Sequence, residues 1–212
     1  MKACINPLLL IALFLLASCF DKNHERKEII KTWNAYRSAF ANNLGTECSK
    51  YIDSASVRYY DHLLTLVRSA DSTTVDMLKM DQKLAVLLAR HTLSESKIMH
   101  ISGKELFEEL VKQSDGGKLS ETLNFEYITL APKHAEVRII DTNGKKGLVV
   151  AFNKEFGVWK IDLVSISGQL SKSDWRELIN ESGRTEHDFV SALLELSNNV
   201  KPTNAVWHAV TR

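Results

Sequence analysis

The spacing of apolar residues changes from a helical period to a period of two and back within this chain, and those changes set the fold class. Up to Gly116-Gly117 the spacing is helical. Ile29, Trp33, Tyr36 and Phe40 recur at intervals of 4, 3 and 4, which is one face of a helix over residues 25–42. Val57, Tyr60, Leu64 and Val67 form a second stripe over residues 56–70, and Asp71 is placed to cap a short helix after it. Leu84, Leu87, Leu88 and His91 form a third stripe. Ser102, with Glu105 three residues on, has the form of a capping box for residues 104–113. Beyond Gly116-Gly117 the period is two. Leu123, Phe125 and Tyr127 alternate with polar neighbours, as do Ala135, Val137 and Ile139, and Trp159, Ile161 and Leu163. Residues 148–152 are continuously apolar. Breaks at Pro132, Asn143-Gly144 and Phe156-Gly157 make these runs four strands with short connections, an antiparallel meander. Helical signals return after Gly168. Asp174 with Glu177 and Thr185 with Asp188 read as capping pairs, and Phe189, Leu193 and Leu196 as the last apolar face. Pro202 closes that helix, and Trp207 is expected to tuck the tail onto the domain. The expected fold is α+β: N-terminal helices packed on a curved four-stranded antiparallel meander, with a C-terminal helical appendage.

The N-terminus has the three parts of an export signal. Lys2 supplies the charge, residues 7–16 the apolar run, and Ala17 and Ser18 the small residues before Cys19. The apolar run is shorter than the roughly 20 residues that cross a bilayer as a helix. Leu16-Ala17-Ser18-Cys19 resembles the bacterial lipobox. The resemblance implies cleavage by signal peptidase II between Ser18 and Cys19. It also implies a diacylglyceryl group on the Cys19 thiol and a third acyl chain on its amine. Two or more chains hold a protein stably to a membrane, where one does not. In Gram-negative lipoproteins an Asp directly after the Cys favours retention in the inner membrane. Phe20 occupies that position, which favours the outer membrane, facing the periplasm.

Removing residues 1–18 leaves 194 residues (212 − 18), a length that suits one domain with elaborations. Lys2 is the only charge lost, so 26 basic residues (27 − 1) face 26 acidic ones. That balance gives no electrostatic case for nucleic acid or for anionic lipid. Cys4 leaves with the signal and Cys19 is assigned to lipid, so Cys48 is the one remaining thiol and no intrachain disulfide is expected. The core alone must hold the fold.

The run Ile30-Lys-Thr-Trp33-Asn-Ala-Tyr36 and the hairpin from Val149 through Phe152, Gly157, Trp159 and Ile161 to Leu163 resemble the nuclear transport factor two-like (cystatin-like) superfamily over residues 25–166. The resemblance implies a cone, in which a long first helix and shorter ones fill the mouth of a bent sheet. Some members of that superfamily carry an Asp or His projecting into the cone, and many have no activity. Strand parity argues against such a group here. The inward side of the strands offers apolar residues, with Tyr127 the only polar tip, while Asp162 and Glu126 fall on the outer parity. A bulge at Gly157 would reverse that parity.

His91, on the third helical stripe, is the candidate for a general base or ligand contact at the cone mouth, and Tyr127 the second ligand-binding candidate. No cofactor is expected. The seven histidines are scattered without ligand spacing, so no metal is expected either. The domain boundaries follow: 1–18 signal peptide, 19–26 lipidated Cys19 and tether, 27–168 cone-shaped domain, 169–212 helical extension. The expected protein is an envelope lipoprotein anchored to the membrane through Cys19. It binds a protein partner or a small apolar ligand without catalysis. An isomerase or hydrolase using His91 is the alternative, and a structural envelope or surface role the third.

Overall fold

Most of the helices begin at a side-chain oxygen that takes up free backbone N–H groups. In the computed structural model, which describes residues 21–114, 123–141, 147–167, 169 and 172–210, seven helices precede the sheet and two follow it. The signal segment, Cys19 and the Gly116-Gly117, Asn143-Gly144 and Gly168 breaks lie outside the described residues. Asp21 caps α1 (Lys22–Ala41), Asp53 caps α3 (Ser54–Ser69) and Asp71 caps α4 (Ser72–Met77). Ser94 caps α6 (Glu95–His100), and Ser102 with Glu105 completes the capping box of α7 (Gly103–Gln113). The one-turn α2 (Gly45–Cys48) and α5 (Met80–Thr92) have no side-chain cap.

The strands β1 (Leu123–Leu130), β2 (His134–Asp141), β3 (Leu148–Glu155) and β4 (Val158–Asp162) pair antiparallel in the order β1-β2-β3-β4, and the sheet is open. The fold is therefore α+β, an antiparallel meander with helices on both sides of it in the chain. Parity is as expected in the last strand. Phe156 and Gly157, with φ of 50° and 83°, form the two-residue turn of the β3–β4 hairpin and introduce no bulge. The bulge lies in β1 instead, at Ile128, between the pairs Tyr127–Val137 and Thr129–Glu136.

Two cores result. In the first, Ile29, Trp33 and Tyr36 of α1 and Phe107 of α7 pack against Ala135, Val137, Val150, Phe152, Trp159 and Ile161 of the sheet. The second is helical, with Leu63, Leu64, Val67, Val86, Leu87 and Ile98 meeting Val190 and Leu194 of α9 (Glu186–Asn198) and Trp207 of the tail. Tyr60 packs against both cores. Two close approaches join these helices. A Cβ on Gly45 would lie 2.1 Å from the Glu108 carbonyl oxygen, and one on Gly103 would lie 2.2 Å from the Asp61 nitrogen. Neither backbone admits a side chain there.

Three sequence expectations differ from the structure. Residues 22–26, assigned to a tether, are the first turns of α1. Asp174 lies within the first turn of α8 (Lys172–Glu181) rather than before it. The buried face of α9 is Val190 and Leu194, leaving Leu196 exposed. Trp207 stacks on His187 and helps set that rotation, with ring centroids 4.7 Å apart.

Asp53 ties sheet to helices. Its carboxylate accepts from Ser56 N and Ser56 Oγ, both at 2.7 Å, and from Asn153 Nδ2 at 2.8 Å. Asp53→Ala removes a cap worth about 0.5–2 kcal/mol. It also strands the Asn153 amide, at about 1–3 kcal/mol. The expected loss in a urea titration is about 1.5–5 kcal/mol, and a loss under about 1 kcal/mol would show that the clip carries no weight.

Candidate functional site

The sequence candidates end in different places. His91 sits in the last turn of α5, and its Nε2 lies 2.9 Å from Asn198 Oδ1 at the end of α9. With an amide oxygen opposite, the ring donates, and the bond ties two helices of the second core. Tyr127 belongs to the first core. Its hydroxyl donates to the Arg26 carbonyl at 3.1 Å, and the Arg26 guanidinium lies 5.0 Å from its ring centroid. Burial raises the Tyr127 phenol above its ordinary range. The two candidates serve different cores and do not form one site.

The buried ionisable groups of the first core are engaged in holding the fold. Glu25 accepts from Trp159 Nε1 at 2.5 Å and from Lys154 Nζ at 2.8 Å. Burial pushes its carboxyl upward, but these bonds outweigh burial and hold it below the usual carboxylate range. Glu108 accepts from Ser49 Oγ at 2.7 Å and Thr46 Oγ1 at 3.1 Å, locking α2 to α7. Cys48 is buried, and burial pushes its thiol up to about 11. The interior of the sheet is filled by Trp33, Tyr36, Phe152 and Trp159. Trp33 Nε1 is buried there with no hydrogen-bond partner. Among the described residues, no group of three or more His, Cys, Asp or Glu is arranged to hold a metal.

The accessible chemistry lies elsewhere, around α8. This helix buries none of its side chains. Between it and residues 76–83 is an open cleft of about 760 Å³. A second hollow of about 590 Å³ lies between α8 and the start of β3. Trp175 and Asp81 line both. Lys83, with its side chain 6% exposed, reaches Glu186 at 2.5 Å, while Glu186 is 52% exposed. The ammonium is therefore the fixed partner, and the carboxylate is the one that can leave. Lys79, Lys172 and Arg176 bring further positive charge to the cleft, and Leu78, Met80 and Ile179 an apolar wall. α5 opens on the same cleft, and Lys79 at its cap position supplies no side-chain acceptor. Free N–H groups at a helix start favour an anion. No Ser, Cys, His or Tyr lines the cleft among the described residues, so its chemistry is recognition of charge and apolar surface.

Sequence reasoning passed over Lys83 and Trp175. The available signals were a lysine beside the apolar stripe at Leu84 and Leu87, and a tryptophan in a mostly polar helix. Compared with protein-family models, curated proteins and solved structures, the chain matches none.

Asp162, on the outer parity as expected, accepts from Val164 N at 2.9 Å and Ser165 N at 3.2 Å. Burial, and next the charge of Asp53, raises its carboxyl above the ordinary range. A raised carboxyl costs the folded state stability as pH rises from the ordinary Asp range through the raised value. Asp162→Asn keeps the acceptor and removes the charge. The variant is expected to unfold at higher denaturant than the parent at neutral pH, and at the same denaturant below about pH 3. Equal midpoints at neutral pH would show that the raised carboxyl costs nothing.

Proposed function

We propose that this chain is an envelope lipoprotein, anchored through Cys19, whose domain binds a small amphipathic anion in the cleft beside α8. The observation that carries the binding reading is the buried Lys83 ammonium at a cleft where Lys79, Lys172 and Arg176 outnumber the carboxylates of Asp76 and Asp81, and where Met80, Trp175 and Ile179 supply apolar surface. An ammonium has three donors. Among the described residues its partner is Glu186, and that side chain is half in water. A carboxylate or phosphate head can replace Glu186 at no desolvation cost to the displaced side chain, while an acyl or similar body lies along Met80, Ile179 and Trp175. The anchoring reading rests on the position of Leu16-Ala17-Ser18-Cys19 after an apolar run, and the outer membrane is favoured by Phe20. Among the described residues no helix is long and apolar enough to cross a membrane. The likeness to the nuclear transport factor two-like superfamily is supported by Trp33 and Tyr36 of α1 packing against Phe152, Trp159 and Ile161. Ligand recognition in this reading occurs outside the cone, because aromatic side chains fill the inside.

Of the four tryptophans, Trp33, Trp159 and Trp207 are buried in the cores, so Trp175 reports on the cleft. Titration with a long-chain fatty acid is expected to shift the emission saturably. Lys83→Met is expected to weaken binding at least tenfold, about 1.4 kcal/mol, with Trp175→Phe abolishing the emission change. No saturable change sinks the ligand. Anchoring is read separately, since Cys19→Ser is expected to move the protein from the membrane to the aqueous fraction. Retention of that variant in the membrane sinks the lipid anchor.

A further inference from the structure

The anchor proposed at Cys19 is two residues from Asp21, the cap of α1. Two residues span at most about 7 Å. A bilayer holding the acyl chains therefore lies against whatever surrounds the first turn of α1.

Four hydrogen bonds identify those surroundings. Glu25, in that first turn, holds Lys154 of β3 and Trp159 of β4, the residues flanking the β3–β4 tip. The Arg26 carbonyl accepts from Tyr127 of β1. Lys154 N donates to the Lys133 carbonyl in the β1–β2 turn at 2.9 Å. Both hairpin turns thus stand at the N-terminal end of α1.

What this end presents is unusual. Phe156, at the tip, is fully exposed, and Val158 beside it is 53% exposed. Phe156 has φ of 50°, a conformation that Asn or Gly adopts readily in such turns and that strains a bulky side chain. An exposed aromatic in a strained turn position does nothing for the hairpin itself. The nearby carboxylates are engaged: Asp21 in its cap, Glu25 with Lys154 and Trp159, and Glu155 with Ser54. Lys22, Arg26 and Lys133 are exposed on the same end. An apolar tip with cations behind it is complementary to an acyl boundary beneath anionic headgroups.

We propose that this end of the domain lies on the bilayer that holds Cys19, with Phe156 and Val158 in the acyl boundary and Lys22, Arg26 and Lys133 at the headgroups. The proposal rests on the lipid anchor and adds an orientation to it. α1 stands on the membrane by its N-terminus, and the domain is docked rather than loosely tethered.

The test uses the full-length acylated protein in vesicles of phosphatidylethanolamine and phosphatidylglycerol. A nitroxide is placed at Val158→Cys or, as a water control, at Leu196→Cys on α9, which is 74% exposed. Cys48 is 0% exposed and stays unlabelled. The label at 158 is expected to relax with dissolved oxygen and to be shielded from a water-soluble nickel chelate, and the label at 196 to show the reverse. Adding Phe156→Glu is expected to return the 158 label to water. Equal chelate access at 158 and 196 overturns the docking. Dipolar broadening between 158 labels would assign the tip to a second copy and overturns it too. The acyl mass on the N-terminal peptide, read on the same sample, separates the two failures. Without that mass the anchor fails and the docking with it, whereas an acylated protein with a wet 158 label loses the docking alone.

Discussion

Asp53 is a buried carboxylate, and the fold depends on its being satisfied. It is 1% exposed, and a carboxylate so placed is tolerated only with hydrogen bonds around it. Two of its bonds start α3, and a third reaches across to Asn153 of β3. Its own N–H donates to the Ile161 carbonyl, and Ile161 N donates to the Tyr51 carbonyl, so residues 51–53 close the free edge of β4. An uncovered edge invites pairing with another chain. The same few atoms thus cover the β4 edge, aim α3 and place Tyr60 between the two cores. α3 then carries Leu63, Leu64 and Val67 into the helical core, so the position of that core is set from the sheet's edge.

The helical core is closed at the C-terminal ends of α3 and α6 by arginines. Arg90 donates to the carbonyls of Leu66, Val67, Ala70 and Val206, and Arg68 to those of Ile98, Met99 and Ile101. These carbonyls lie at the ends of α3 and α6, together with one from the tail, and that of Leu66 also accepts from Ala70 N. A guanidinium has five donors in a fixed fork, so one side chain serves several such groups. The sheet core has no comparable relief for Trp33 Nε1, which is left without a partner among packed aromatics. The cost of such an omission is about 1–3 kcal/mol. It is comparable to the gain from burying one large apolar side chain, about 1.5–3 kcal/mol, so the packing around Trp33 can absorb it.

Much of the architecture was legible because it is local. The capping residues at Asp71, Ser102 and Thr185 sit beside the helices they start, and strand parity follows from alternation alone. α2 and α6 were missed because four and six residues are too few to show a period. The face of α9 was misjudged because Phe189, Val190, Leu193 and Leu194 offer two adjoining stripes, and the tail around Trp207 selects between them. The bulge at Ile128 has no sequence mark, since neither Gly nor Pro is present there. The cleft was illegible for another reason. Lys83 and Glu186 are 103 residues apart, and Trp175 joins them only once α8 has been laid beside α5. His91 looked like chemistry because it shares a stripe with leucines, and Asn198, the partner that explains it, is equally remote.

The Glu25–Trp159 bond spans 134 residues, and it has a consequence for synthesis. A chain that emerges N-terminus first exposes α1 long before β4 exists to receive it. The second core waits longer still, for Val190, Leu194 and Trp207. Contacts of such separation form slowly, because the chain between them must be closed first. Through most of translation, Ile29, Trp33 and Tyr36 therefore face solvent as an unpaired apolar stripe. That stripe stays uncovered until the last fifty or so residues are being made, so folding of the sheet core is completed late in synthesis.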